Sequence, residues 1–156
     1  MTFPRSGPTN VRAATSADIP RIIELERACA TAAHWSETQY QAIFDENNRP
    51  RRFALVIEEG SFFQGFLIAR QLHDECEIEN VVISASARRR GLATILLQEL
   101  TNKLRQENGR TVFLEVRESN HAARRFYEKV GFREIGCRRA YYSSPEEDAI
   151  QYRLSL

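Results

Sequence analysis

The chain is short of cysteine, of net charge and of long apolar runs, and each shortage removes a class of protein. Its 3 cysteines, Cys29, Cys76 and Cys137, are odd in number, widely spaced and free of any Cys-x-x-Cys pair. A disulfide framework is therefore not expected, and a reducing compartment suits the chain. His73 and Cys76 stand close together, but no second cluster completes four ligands, so no metal is expected. The 22 basic residues offset 21 acidic ones and leave a net charge of +1. Without a basic field, neither direct nucleic-acid binding nor attraction to an anionic membrane is expected. No apolar stretch approaches the ~20 residues of a membrane helix, and the start Met1-Thr2-Phe3-Pro4 lacks signal-peptide character, so a cytoplasmic protein is expected.

What is present is a regular alternation of strand and helix patterns. The 156 residues fit one domain with a loose leader over residues 1–8. A short strand is predicted at 11–14. Thr15 or Ser16 then caps a helix that carries Ile19, Ile22, Ile23, Glu26 and Ala30 and ends near His34. Ser36-Glu37-Thr38-Gln39 has the spacing of a capping box and opens a second helix. Residues 52–58 and 62–72 read as a hairpin, followed by a strand at 77–83. Leu92, Leu96, Leu100 and Leu104 form one stripe of a helix that stops at Asn108-Gly109. A strand at 111–116, a helix at 120–129 and strands at 132–142 and 149–156 complete about seven strands and four helices, an α+β pattern.

Between Arg88 and Ala93 the chain reads Arg-Arg-Arg-Gly-Leu-Ala, directly after the apolar run Val81, Val82, Ile83. A strand, a tight basic turn and a helix start in that order aim free N–H groups and the positive helix end at one point, a site for phosphate or pyrophosphate. Gly91 is where a side chain would block that approach. Arg88, Arg89 and Arg90 could also form a nucleic-acid patch, but in a neutral chain without interleaved aromatics pyrophosphate is the better ligand. Leu92, Ala93 and Thr94 would supply the first turn of the helix.

The spacing Arg88-x-x-Gly91-x-Ala93 resembles the acyl-CoA signature of the GCN5-related N-acetyltransferases, the GNAT superfamily. Asn120, Ala123, Tyr127, Gly131 and Phe132 resemble the second signature of the same superfamily. Trp35-Ser36-Glu37, Arg138-Arg139-Ala140-Tyr141-Tyr142 and Glu147-Asp148-Ala149-Ile150 resemble a narrower group within it, the RimI-type ribosomal-protein-alanine N-acetyltransferases. The resemblance covers residues 11 to 156 and implies the GNAT fold, a central mixed and mostly antiparallel sheet flanked by helices. It also implies acetyl-CoA as co-substrate and transfer to the N-terminal alanine of a small-subunit ribosomal protein, by direct amine attack with no acetyl-enzyme. The partner is then the N-terminal segment of a protein, and a monomer or weak dimer is expected. Two alternatives stand beside this one: a GNAT enzyme acting on a small amine or antibiotic, and a non-catalytic acyl-CoA-binding module.

The same resemblance distributes roles. Backbone groups of Val81, Val82 and Ile83 would hold the pantetheine amides, with Asn120 close to that arm, and Trp35, Tyr141 and Tyr142 would border the peptide groove. Asn120 alone would read as a helix cap, and the two tyrosines as a solvated strand end. Glu115 lies in Val112-Phe113-Leu114-Glu115-Val116, where burial would raise its pKa toward the range a general base needs. An ion pair with Arg117 or another arginine is the other reading. Glu79 is a second base candidate, otherwise a solvated strand residue. Tyr127, two helical turns after Asn120, carries a phenol that can donate to a departing thiolate; alone it would read as a core aromatic beside Phe126. The chain departs from the family at Ile83-Ser84-Ala85-Ser86, where Val-Asp-Pro is common, and at Ala93, where Gly is usual.

Overall fold

Alternating apolar positions build a seven-stranded sheet in the computed structural model, which describes residues 7–156. The strands are β1 (Thr9–Ala13), β2 (Arg52–Glu59), β3 (Phe62–Leu72), β4 (Glu75–Ile83), β5 (Thr111–Arg117), β6 (Arg133–Tyr142) and β7 (Glu147–Ser155). They lie in the order β1-β2-β3-β4-β5-β7-β6. Every neighbouring pair is antiparallel except β4 and β5, which run parallel. Four helices, α1 (Ile19–Arg27), α2 (Glu37–Ile43), α3 (Leu92–Gln106) and α4 (His121–Lys129), cover the two faces. The α+β class with a mixed sheet is therefore as expected. Residues 1–6 of the expected leader lie outside the described residues; Pro8, its last residue, is tied to the β2–β3 turn, its carbonyl accepting from the Gly60 N–H at 3.1 Å.

Each face has its own core. On one, the α3 stripe Leu92, Leu96, Leu100 and Leu104 is buried against Leu55, Ile57, Ile78, Leu114 and Tyr152, with Phe126 and Tyr127 of α4 packed beside it. Burial of each such leucine contributes about 2 kcal/mol. On the other, Ile19 and Ile22 of α1 and Tyr40 of α2 pack on Val56, Phe66, Ile68 and Val82. The capping box at Ser36 forms as the spacing predicts: Ser36 Oγ accepts from the Gln39 N–H at 3.2 Å, and Gln39 Oε1 accepts from the Ser36 N–H at 2.8 Å.

One detail departs from the expectation and a second from regular strand alternation, and both shape the site. α1 ends at Arg27 rather than near His34. Beyond Arg27 the small residues Ala28, Cys29, Ala30 and Thr31 give the helix no large apolar side chain to bury, and His34 adopts a left-handed φ of +55°. The second departure is in β4, where Ile68 opposes Asn80 while Ala69 opposes Ile78, so Glu79 is an extra, bulged residue. The bulge reverses the in–out alternation. Cys76 and Ile78 face α3, whereas Val82 packs with the α1 and α2 core. Strict two-residue periodicity would have put all three on one face.

Candidate active site

Parallel pairing of β4 with β5 runs only from Glu75 opposite Thr111 to Ile78 opposite Leu114. The bulge at Glu79 follows at once, and the two strands separate. Among the described residues β4 then has no strand partner on that side from Glu79 to Ile83, which leaves backbone donors and acceptors facing the gap. The gap opens into a cleft of about 790 Å³ whose walls include Val81, Glu115, Asn120, Tyr127, Tyr141 and Tyr142. Trp35, Glu79 and Asn80 line it as well.

Glu115 and Tyr127 approach this cleft from opposite faces of the sheet. Leu114 and Val116 are buried beneath α3, so the intervening Glu115 points the other way. Tyr127 belongs to the α3 face, its ring 5.2 Å from Phe126 and 5.5 Å from Phe132. Burial pushes its phenol up to about 12, and its hydroxyl has no hydrogen-bond partner in the protein among the described residues. Asn120 does cap α4, Oδ1 accepting from the Ala123 N–H at 3.2 Å, while also lining the cleft.

The carboxylates are more heavily partnered than an apolar strand would suggest. Glu115 forms an ion pair with Arg138, whose Nε lies 2.9 Å from a carboxylate oxygen, and accepts from Gln151 Nε2 at 3.2 Å, so it is not an isolated acid. Its arginine comes from β6, beyond the adjacent β7. Arg117 instead lies 4.3 Å from the centroid of the Tyr142 ring and donates to the Pro145 carbonyl. Glu79 is no solvated residue either: Arg52 Nε donates to it at 2.9 Å, and its side chain is 13% exposed. Tyr142 is also pushed up to about 12, by burial first and then by the charges of Glu115 and Tyr141.

Tyr141 and Tyr142 reach the cleft through a second irregularity. Arg138 opposes Ala149 and Tyr142 opposes Glu147, so three residues of β6 stand against one of β7. Ala140 takes a φ of +51° there, and its N–H is held by Asp148 Oδ1 at 2.8 Å. Tyr141 remains 52% exposed at the rim.

The basic turn is separate from this cleft and lies at the start of α3. Gly91 is the N-cap, with φ +79° and no side-chain cap, so the first N–H groups of α3 are left for an anion. Among the described residues a Cβ at Gly91 would meet nothing within 4 Å, so the requirement for glycine here is the left-handed backbone rather than lack of space. Gly91→Ala should cost about 1 kcal/mol in urea unfolding, and Gly91→Asn, which tolerates this conformation, less. Two of the three arginines are engaged within the protein: Arg90 pairs with Glu59, and Arg88 Nε donates to the Ile83 carbonyl at 3.2 Å. Arg89, with φ +61°, is exposed. Val82 is buried in the opposite core, so its side chain cannot reach a ligand. Thr94 lines a second hollow along α3 with Gln98 and Arg105, of about 580 Å³.

Sequence reasoning missed the irregular segment 30–34, with His34, as part of the cleft, and gave the Asn80 side chain no role. Asn80 could have been noticed as the one polar residue in Ile78–Ile83 after Glu79. The path of 30–34 carried no signal, because a chain of small residues has no periodicity to read.

A model of the acetyltransferase (GNAT) family matches residues 19–132. The [ribosomal protein bS18]-alanine N-acetyltransferase of Escherichia coli K12 is 33% identical over 141 residues, covering 89% of this chain and 92% of that protein. The enzyme of the same name from Salmonella typhimurium is 34% identical over 144 residues, 91% of this chain and 94% of its own. The crystal structure of the ribosomal-protein-S18-alanine N-acetyltransferase from Escherichia coli superposes with a TM-score of 0.82 at 29% identity, over 95% of this chain and 94% of that one.

Proposed function

This chain belongs to the acetyltransferase (GNAT) family, and from that premise we propose that it acetylates the α-amine of an N-terminal alanine on a ribosomal protein of the bS18 kind, using acetyl-CoA. The acceptor follows from the relatives' names. The observation that carries the chemistry is the single cleft into which Glu115 and Tyr127 open from opposite faces of the sheet. Such a layout lets amine and thioester enter separately and meet between the two groups.

The residues present fit acetyl-CoA. The unpaired side of β4 from Glu79 to Ile83 offers backbone partners for amide groups, Asn120 lies beside it, and the uncapped start of α3 with Arg88 and Arg89 suits a pyrophosphate. When bound, acetyl-CoA supplies the acetyl group on a thioester.

Glu115, aimed by Arg138 and Gln151, takes the proton of the incoming amine, directly or through water. An α-amino group titrates near ~8, against ~10.4 for a lysine side chain, so it asks less of that base. Tyr127 keeps its proton at Oη. With its phenol pushed up to about 12, it holds that proton more tightly than an ordinary thiol, which titrates near ~8.5. Its service is therefore a hydrogen bond to developing negative charge rather than outright release of the proton.

Among the described residues no helix is long and apolar enough to cross a membrane, and a ribosomal acceptor fits a cytoplasmic enzyme. Incubation with acetyl-CoA and a peptide beginning with alanine should yield acetylation at the α-amine, located by fragment mass spectrometry. Acetylation confined to lysine side chains, or suppressed by small amines that are themselves acetylated faster, would overturn the reading.

A further inference from the structure

On the acceptor side of the sheet the chain buries an acid that the proposed transfer does not use. Glu26, in the last turn of α1, is 1% exposed. Its carboxylate accepts from the Tyr40 hydroxyl of α2 and from Asn80 Nδ2 of β4 at 2.9 Å, and Asn80 Nδ2 also donates to Tyr40 Oη at 3.1 Å. Burial pushes the Glu26 carboxyl above the usual range, opposed in part by the Asn80 hydrogen bond, the charge of His34 and the backbone of Trp35. Glu26 falls on the apolar spacing of α1, where a leucine would pack without that desolvation cost. A buried acid with partners from two other elements points to a task beyond packing.

The three residues converge on one segment. The Tyr40 ring packs on Trp35 with centroids 5.5 Å apart. Arg52, which holds Glu79, lies 6.0 Å from the centroid of the same indole. The irregular segment from Ala30 to Trp35, which walls one side of the cleft, is thus anchored at its far end to α2 and β4 rather than by secondary structure of its own. The bulge at Glu79 makes this possible, because it turns Asn80 toward α1 and α2 while Val81 packs toward the α3 core. Adjacent residues of one strand then serve the acceptor wall and the donor wall.

We propose that Glu26, Tyr40 and Asn80 form a positioning network that holds Trp35 and the segment before it against the bulged strand, and so sets how the first residue of the acceptor is gripped. The proposal rests on the N-terminal transfer reading. Glu26 and Tyr40 do not line the cleft; they act through Trp35 and Asn80, which do.

The test is steady-state kinetics of the full chain with acetyl-CoA and an alanine-first peptide, comparing wild type, Glu26→Gln and Tyr40→Phe. Glu26→Gln should raise the peptide KM about tenfold and Tyr40→Phe about threefold, with kcat and the acetyl-CoA Kd each within about twofold of wild type. Tyr40→Phe keeps the ring against Trp35 and Phe66 and loses only the hydroxyl, so it decides the matter even if Glu26→Gln fails to fold. Unchanged peptide KM in a folded variant, whatever its melting temperature, overturns the proposal, as does an equal loss of acetyl-CoA affinity. A wild-type protein that acetylates no peptide α-amine overturns the transfer reading itself, and the network's role with it.

Discussion

Tyr127→Phe is expected to lower kcat about 100-fold while leaving acetyl-CoA affinity within about twofold. The phenyl ring preserves the contacts with Phe126 and Phe132 that fix α4 on the sheet, so the helix and its Asn120 cap stay in place. The change removes only a hydroxyl that makes no hydrogen bond within the protein among the described residues, and stability should therefore hold. A large loss of turnover without loss of stability or cofactor affinity is the signature of a group used only in the transition state. The pH profile adds a second check. Because the phenol titrates only at about 12, it stays protonated through the working range, so the variant should change the height of the rate profile and not its shape. Full activity in the folded variant would return Tyr127 to the role of a core aromatic.

Glu115→Gln should lower kcat/KM for the peptide about 100-fold near neutral pH. The loss should shrink as the pH rises past the ~8 of an α-amino group, because solution then supplies the neutral amine that the carboxylate otherwise helps to make. Glutamine keeps the shape of the side chain and an oxygen for Arg138 Nε and Gln151 Nε2, so the missing function is proton acceptance. Rate profiles that coincide for variant and wild type would make Glu115 a structural partner of Arg138. Glu79 would then be the next candidate, with the difficulty that Arg52 already holds it in a two-point ion pair.

These expectations draw on sequence and structure unequally. The leucine stripe of α3, the capping box at Ser36, the glycine before α3 and the asparagine cap of α4 were all legible, because each depends on residues within one or two turns of each other. The identity of Arg138 as the partner of Glu115 was not legible. Two residues 23 positions apart meet only after β5, β7 and β6 take their places in the sheet. The ion pair of Arg90 was hidden for the same reason: its partner Glu59 belongs to a distant hairpin, and nothing in Arg88-Arg89-Arg90 distinguishes that arginine from the others. The end of α1 was placed too late because alanines satisfy helical spacing without supplying the packing that sustains a helix.

Local pattern alone was enough to establish the element order, the α+β class, the glycine turn before α3 and the two signatures of the family. Such features arise from backbone conformation and side-chain periodicity over short stretches, and the chain carries them wherever it goes. The open cleft is of another kind. It exists because one extra residue in β4 opposes β3, which reverses the facing of Asn80 and Val82 and parts β4 from β5 beyond Ile78 and Leu114. A bulge is a choice of register between strands, settled by how the whole sheet packs on its two cores, and no single strand records it.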